Sequence, residues 1–275
     1  MNRLMQTSPH LMISREGLEE LFSRYHRREL VHPDPLEFLY DYQVPQDKEV
    51  VGLIASSLAY GRVTQILKSV SSVLERMDPS PSAFLLHSSP ESLLSTFANF
   101  KHRFTTGQEL AALLWRAKCV IEQHGSLHAC FTACLNDNDD TILPALSAFV
   151  GKFNTCPSKK GKFSLLPSPS KGSACKRLNL FLRWMVRRDE VDPGVWSSVP
   201  ASKLIVPLDT HMHRICRLLN LTKRRQADLH TAVDITRAFR AIAPEDPVRY
   251  DFALTRLGIR GDTDLVSFLD ACCMK

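Results

Sequence analysis

The sequence predicts an all-α protein of about ten to twelve helices. Three observations carry this. Apolar residues recur at three- and four-residue spacing along most of the chain, which gathers them on one face of a helix. Serine, threonine or aspartate stands just before several of these segments, where a side-chain oxygen satisfies the first free amides. Runs alternating apolar and polar residues, the mark of a half-buried strand, are nearly absent.

Residues 1–13 read as a flexible arm and 14–275 as one helical domain. Ser14 caps a first helix carrying Leu18, Leu21, Phe22 and Tyr25. A turn at His32-Pro33-Asp34-Pro35 leads to a short helical stretch, Leu36 to Tyr40. Asp47-Lys48-Glu49 opens the apolar segment Val50 to Tyr60, long and small enough in its residues to lie in the middle of the core. Gly61-Arg62 interrupts it before an amphipathic helix from Val63 to Leu74.

Pro79 and Pro81 mark a loop, and Ser89-Pro90-Glu91 starts a short helix with Leu93 and Leu94 facing inward. A long helix spans Thr106 to His124 and stops at Gly125; further helices cover Leu127 to Leu135 and Thr141 to Phe153. Between these two, Asn136 to Asp140 is acid-rich but lacks the ligand spacing of a calcium loop and reads as a surface linker. A long Pro/Ser/Gly-rich connection ends at Ser173, and Ala174 begins a helix running through Met185. After a loop from Val191 to Leu204, the segment 204–220 holds another helix. Helices at Leu229–Ile242 and about Pro247–Leu257 follow, and a short one ends the chain.

Composition sets limits. Of 275 residues, 44% are hydrophobic and 23% charged, as in a folded globular chain. No apolar run is long enough for a membrane span, and no signal peptide opens the chain, so a cytoplasmic location is expected. The eight cysteines form no Cys-x-x-Cys pair, and no structural disulfide, zinc site or iron–sulfur cluster is expected. No cofactor is expected either. Residues 151–190 carry ten lysines and arginines against two acids, an excess of +8, while the rest of the chain nets −2. Such a cluster is the footprint of a polyanion partner, or else a solvated basic loop.

Two places carry candidate chemistry. Lys171-Gly172-Ser173 precedes a helix start bearing Lys176 and Arg177, which suits a phosphate and reads equally as a plain cap. Asp209 follows Pro207-Leu208 and opens an amphipathic helix, where it serves as N-cap. A lysine at one helix start and a carboxylate at the next can face one cleft, the lysine as a desolvated amine nucleophile and the carboxylate stabilising a sugar cation. His211 and His213, two apart, cannot share a helical face, so no joint metal site is expected.

The segment Leu204 to Leu218, with Leu208-Asp209-Thr210-His211 at its centre, resembles the Val-Asp-Thr-His motif of the helix-hairpin-helix DNA glycosylases, the superfamily of endonuclease III and the 8-oxoguanine glycosylases. The helix ending Ile242-Ala243-Pro244, the Pro247–Ile259 segment and the Val50–Leu74 helix pair also resemble that superfamily. The chain is similar as well to a bacterial family of unknown function. The resemblance implies a glycosylase-like fold with two helical lobes and a cleft between them, a basic hairpin-like region about 157–190, and a catalytic segment about 204–220.

It further implies a base-excision repair enzyme that binds double-stranded DNA, flips out a damaged base such as an oxidised purine, and removes it, with AP lyase activity in bifunctional members. The family's catalytic aspartate falls on Asp209. Its nucleophilic lysine falls best on Lys176, with Lys171 as the alternative. Lys171, Gly172, Ser173, Arg177, His211 and Arg214 are the candidate DNA contacts. Tyr60, Arg62, Phe181 and Trp184 are candidates for the base pocket, the aromatic ones reading also as core. Three departures stand out. The hairpin signature Leu-Pro-Gly-hydrophobic-Gly is replaced by Pro167-Ser168-Pro169-Ser170-Lys171-Gly172. Lysine and aspartate are 33 residues apart, longer than in endonuclease III, and the cluster-binding cysteines are absent. A non-catalytic nucleic-acid-binding protein and a helical scaffold for an acidic protein partner are the other readings.

Overall fold

A computed structural model describes residues 14–156 and 165–259. The N-terminal arm, residues 157–164 of the basic connection and the terminal short helix lie outside the described residues.

The described chain is mostly helical, as expected. Helix α1 (Arg15–Tyr25) starts where Ser14 Oγ accepts the Gly17 amide at 3.0 Å. It buries Leu18, Leu21 and Tyr25 and packs against the last described helix, α12 (Asp251–Ile259). A 3-10 turn at Pro35–Asp41, capped by Asp34, leads to α2 (Pro45–Ser57). From Glu49 to Ser57 every residue of α2 is buried. Small residues let it pack closely on α9 (Lys176–Val186): a Cβ on Gly52 would come within 2.9 Å of Met185 Cε.

After α3 (Val63–Leu74), the stretch read as a proline-marked loop contains a helix, α4 (Pro81–His87). Pro81 sits at the start, where its missing N–H costs nothing, and Ser80 caps it. In α5 (Pro90–Thr96), Leu93 is fully buried but Leu94, expected to face inward, is exposed at 41%. A two-stranded antiparallel hairpin, β1 (Lys101–His102) with β2 (Thr105–Thr106), follows. Strands of two residues are too short to show alternation.

Helix α6 (Gly107–His124) opens with a capping box between Thr106 and Glu109 and stops at Gly125, whose φ of 89° suits glycine. Helix α7 (Leu127–Thr132) is shorter than expected, and α8 (Leu143–Thr155) completes this group. The carboxylate of Glu49 reaches from α2 to cap α7, accepting the Leu127 and His128 amides at 2.9 and 3.2 Å and Trp196 Nε1–H at 2.9 Å. Burial raises its pKa even though these three donors favour the charged form.

The cysteine pattern misled in one place. Cys119 on α6 and Cys156 at the end of α8 are joined in a disulfide, contrary to the expectation of none. They stand 37 positions apart and no sequence motif marks the pair; the packing of α6 on α8 brings their Cα atoms to 6.1 Å.

The second group comprises α9, α10 (Thr210–Leu218), α11 (Leu229–Ile242) and α12. A buried ionic cluster ties it together. Arg183 on α9 pairs with Asp192 at 2.9 Å and with Asp251 of α12, while Arg187 pairs with Asp192, Asp189 and Asp246. Asp192 is fully buried. One apolar cluster runs through both groups, from Leu18 to Leu254. No helix among the described residues is long and apolar enough to cross a membrane.

Candidate active site

Three helix starts meet at one cleft of about 700 Å³. Its walls include Cys175 and Lys176 from the start of α9, Asp209 and Thr210 from α10, and Ala227 and Asp228 from α11. Tyr60 and Gly61, which follow α2, also line it. Helix starts expose amide hydrogens, so their convergence favours negative charge in the cleft.

The approach to α9 is built from turns. Gly172 takes φ 76°, and its carbonyl accepts the first amide of α11, from Leu229, at 3.2 Å. Ser173 Oγ accepts the Cys175 amide at 3.2 Å, and Cys175 is held at φ 48° with no side-chain cap on the helix it precedes. The helix therefore starts at Lys176, two residues later than Ala174.

At the centre, Lys176 Nζ lies 3.1 Å from Asp209 Oδ2. Asp209 also caps α10, its Oδ1 accepting the Met212 amide at 2.8 Å. Burial pushes its pKa up, but the Lys176 charge, the Met212 hydrogen bond and nearby His211 hold it below the ordinary carboxylate value. Lys176 is not the desolvated amine expected: a third of its side chain is exposed and it faces a carboxylate.

Asp228, which sequence reasoning passed over, is a second carboxylate on the wall. The Thr231 amide and Arg224 hold its pKa down at about 2. The signal was present, since an aspartate three residues before a threonine at a helix start is a cap pattern.

The other site residues divide. Tyr60 lines the cleft, with its hydroxyl donating to the His102 carbonyl at 2.9 Å and sharing a 2.7 Å bond with Thr105. Arg177 also lines it, but its guanidinium donates to the Ser57 carbonyl at 2.9 Å and stacks over Tyr60, so it braces the wall. Gly172 and Ser173 line the cleft; Lys171 is exposed beside a smaller neighbouring pocket containing Arg116. His211 is half-buried beside Asp209, with Nε2 buried and without a hydrogen-bond partner, while His213 Nε2 bonds the Arg224 carbonyl at 3.0 Å. Arg62 and Arg214 are exposed away from the lining. Phe181 and Trp184 are not brought to the cleft. Both are fully buried, Phe181 edge-on to Trp196.

Residues 34–260 match the model of a family described as "Protein of unknown function (DUF2400)". The chain belongs to this family. The matched region takes in the whole cleft, from Ala59 to Asp228. No curated protein matches the chain, and no solved structure does.

Proposed function

We propose that this DUF2400 protein is a DNA N-glycosylase of base excision repair, acting on a damaged base flipped from duplex DNA into the cleft. The observation that carries the reading is the 3.1 Å contact between Lys176 and Asp209. A nucleophilic amine needs a proton acceptor, and a sugar cation needs an anion beside it; one carboxylate at this distance serves both.

The cleft volume falls in the range of small-ligand sites. Filling it with a flipped nucleotide expels water, which favours the neutral amine and acid over the ion pair. Asp209 takes the proton from Lys176, and Nζ attacks C1′ of the sugar. The C1′–N bond breaks, and its electron pair leaves with the base, which takes the proton now on Asp209 and so restores the carboxylate beside the cationic sugar. Ring opening gives a Schiff base between Nζ and C1′. Loss of a 2′ proton then expels the 3′ phosphate, which is the lyase step.

The test is borohydride trapping of the full chain on abasic and 8-oxoguanine duplexes, with a broad lesion panel for base release. Trapping that disappears in Lys176→Gln supports the reading; wild-type protein that releases no base from the panel overturns it. A second reading, a nucleic-acid-binding protein without catalysis, is favoured by Asp209 acting as a satisfied helix cap. That reading expects salt-sensitive duplex binding that Lys176→Gln lowers only slightly.

A further inference from the structure

The hairpin before α6 presents an apolar ring to water. Phe104 is 81% exposed, more than any other large hydrophobic residue among the described residues. It and Arg103 form the whole two-residue loop between β1 and β2, and Arg103 is held at φ 51°, in the left-handed region that non-glycine residues rarely adopt.

The base of the hairpin is firmly tied. His102 is 2% exposed with both ring nitrogens bonded, one to Ser69 Oγ at 2.9 Å and one to the Tyr60 carbonyl at 3.0 Å. The same Tyr60 hydroxyl that lines the cleft bonds both His102 and Thr105. The side chain of Arg103 lies over Gly61, where an added Cβ would come within 2.7 Å of Arg103 Cδ. Gly61 is itself a wall residue. Phe104 is therefore the chain neighbour of a residue packed on the wall of the cleft holding Lys176 and Asp209.

The surroundings of the hairpin are also cationic. The Arg103 guanidinium carbon lies 5.5 Å from the Phe104 ring centre. Arg62 follows Gly61 and Lys101 opens the hairpin; both are exposed, and neither forms an ion pair among the described residues.

We infer that Phe104 is a stacking platform for an unpaired nucleobase at the edge of the cleft, with Arg62, Lys101 and Arg103 taking the adjacent phosphates. An aromatic face beside loose cations matches the two parts of a nucleotide, its ring and its phosphate. A base within a duplex has both faces covered by its neighbours, so the platform accepts only one left unpaired. The inference rests on the reading of the cleft as a nucleic-acid site, and adds that the preferred substrate carries an unpaired base.

The experiment measures binding of the full chain to two duplexes of equal length, one fully paired and one with a base left unpaired opposite an abasic position. Wild type is expected to prefer the second. Phe104→Ala loses about tenfold on it, a typical worth of one stacked base, and nothing on the paired duplex. Phe104→Trp keeps the preference, and the salt dependence is unchanged in both variants because no charge is altered. Equal binding of the two duplexes by wild type, or a Phe104→Ala variant indistinguishable from it, overturns the platform. Base release that persists with that result leaves the cleft chemistry standing; a Phe104-dependent preference without base release from any lesion sinks the glycosylase and keeps the platform. Binding to neither duplex overturns both.

Discussion

Asp209 holds Lys176 with one carboxylate oxygen, at 3.1 Å, and the start of α10 with the other, at 2.8 Å. A cap and a charge partner thus share one side chain, and substitution can separate them. Asparagine caps a helix about as well as aspartate but carries no charge, whereas alanine does neither. Asp209→Asn should keep stability within about 0.5 kcal/mol while lowering base release by about a hundredfold, as loss of an electrostatic stabiliser does. Asp209→Ala should lose about 1 kcal/mol in addition. Urea denaturation with single-turnover kinetics reads both; equal stability loss in the two variants would show that the charge, not the cap, holds α10.

His102 makes the hairpin sensitive to acid. Its ring bonds the Tyr60 carbonyl, which can only accept, so Nε2 carries the hydrogen and Nδ1 accepts from the Ser69 hydroxyl. Burial lowers its pKa below the ordinary 6.5, outweighing the carbonyl contacts that favour the charged ring. The unfolded segment then binds more protons, so the stabilisation is full above pH 6.5 and is lost as pH falls through the folded value. Hydrogen exchange at residues 101–106, corrected for intrinsic rates, should rise on going from pH 7 to 5 while helical circular dichroism holds. In Asp209 the depressed pKa acts at lower pH, costing stability only below the ordinary carboxylate value of 3.8. A hairpin that opens only together with the helices would contradict this order.

The disulfide closes a long loop. Linking residues 37 positions apart removes about 4 kcal/mol of chain freedom from the unfolded state in the loop-entropy picture. Cys119→Ser should unfold at correspondingly lower urea, and reductant should bring wild type to the same midpoint. A wild-type midpoint that ignores reductant would mean that the bond does not hold α6 to α8.

The buried cluster is predicted to be intolerant of partial removal. Asp192 is fully enclosed and bridges Arg183 and Arg187, which Asp251, Asp189 and Asp246 also pair. Asp192→Asn removes the one carboxylate shared by both guanidiniums, leaving each with its remaining partners, and should cost about 3 kcal/mol. Because Arg183 lies two turns beyond Lys176 on α9, the variant should also blunt trapping at Lys176. Replacing Arg183, Asp192 and Asp251 together by methionine, leucine and leucine should cost less than the single change, since Arg187 keeps Asp189 and Asp246 and no buried carboxylate is stranded. A triple variant no better than the single would point to the packing, not the charge.

How much of this was legible in the sequence depended on the range of the interaction. Helix starts were readable where a cap stood next to its segment, as at Ser14, Thr106 and Asp209, because capping acts within three residues. Helix α4 escapes a sequence reading because proline marks a loop as readily as a first helical turn, which is where Pro81 sits. Glu49 reads only as part of the opening of the Val50–Tyr60 segment, yet it caps α7, 78 positions away in the chain. Lys176 and Asp209 stand out by a motif, but Gly61 and Asp228 come to the same cleft through tertiary packing that no local pattern announces. Phe181 and Trp184 looked like pocket aromatics for the converse reason: apolar spacing cannot tell a core face from a cavity wall.

Two glycines test how tightly the frame of the site is set. Gly107 opens α6, and a Cβ there would fall 1.7 Å from the Phe97 carbonyl oxygen. Backbone cannot step aside cheaply, so Gly107→Ala should cost about 3 kcal/mol or more and disturb the hairpin just before it. Gly52 faces instead the flexible end of Met185, 2.9 Å from its would-be Cβ. There the methionine can re-settle, and alanine recovers about 1 kcal/mol of helix preference over glycine, so Gly52→Ala should be near neutral. A longer side chain has no such outlet. Gly52→Leu should push α9 from α2 and move Lys176 relative to Asp209, lowering borohydride trapping more than it lowers the unfolding midpoint. Trapping that survives Gly52→Leu intact would show that the pair is set by the α9 and α10 starts alone and owes nothing to the α2 contact.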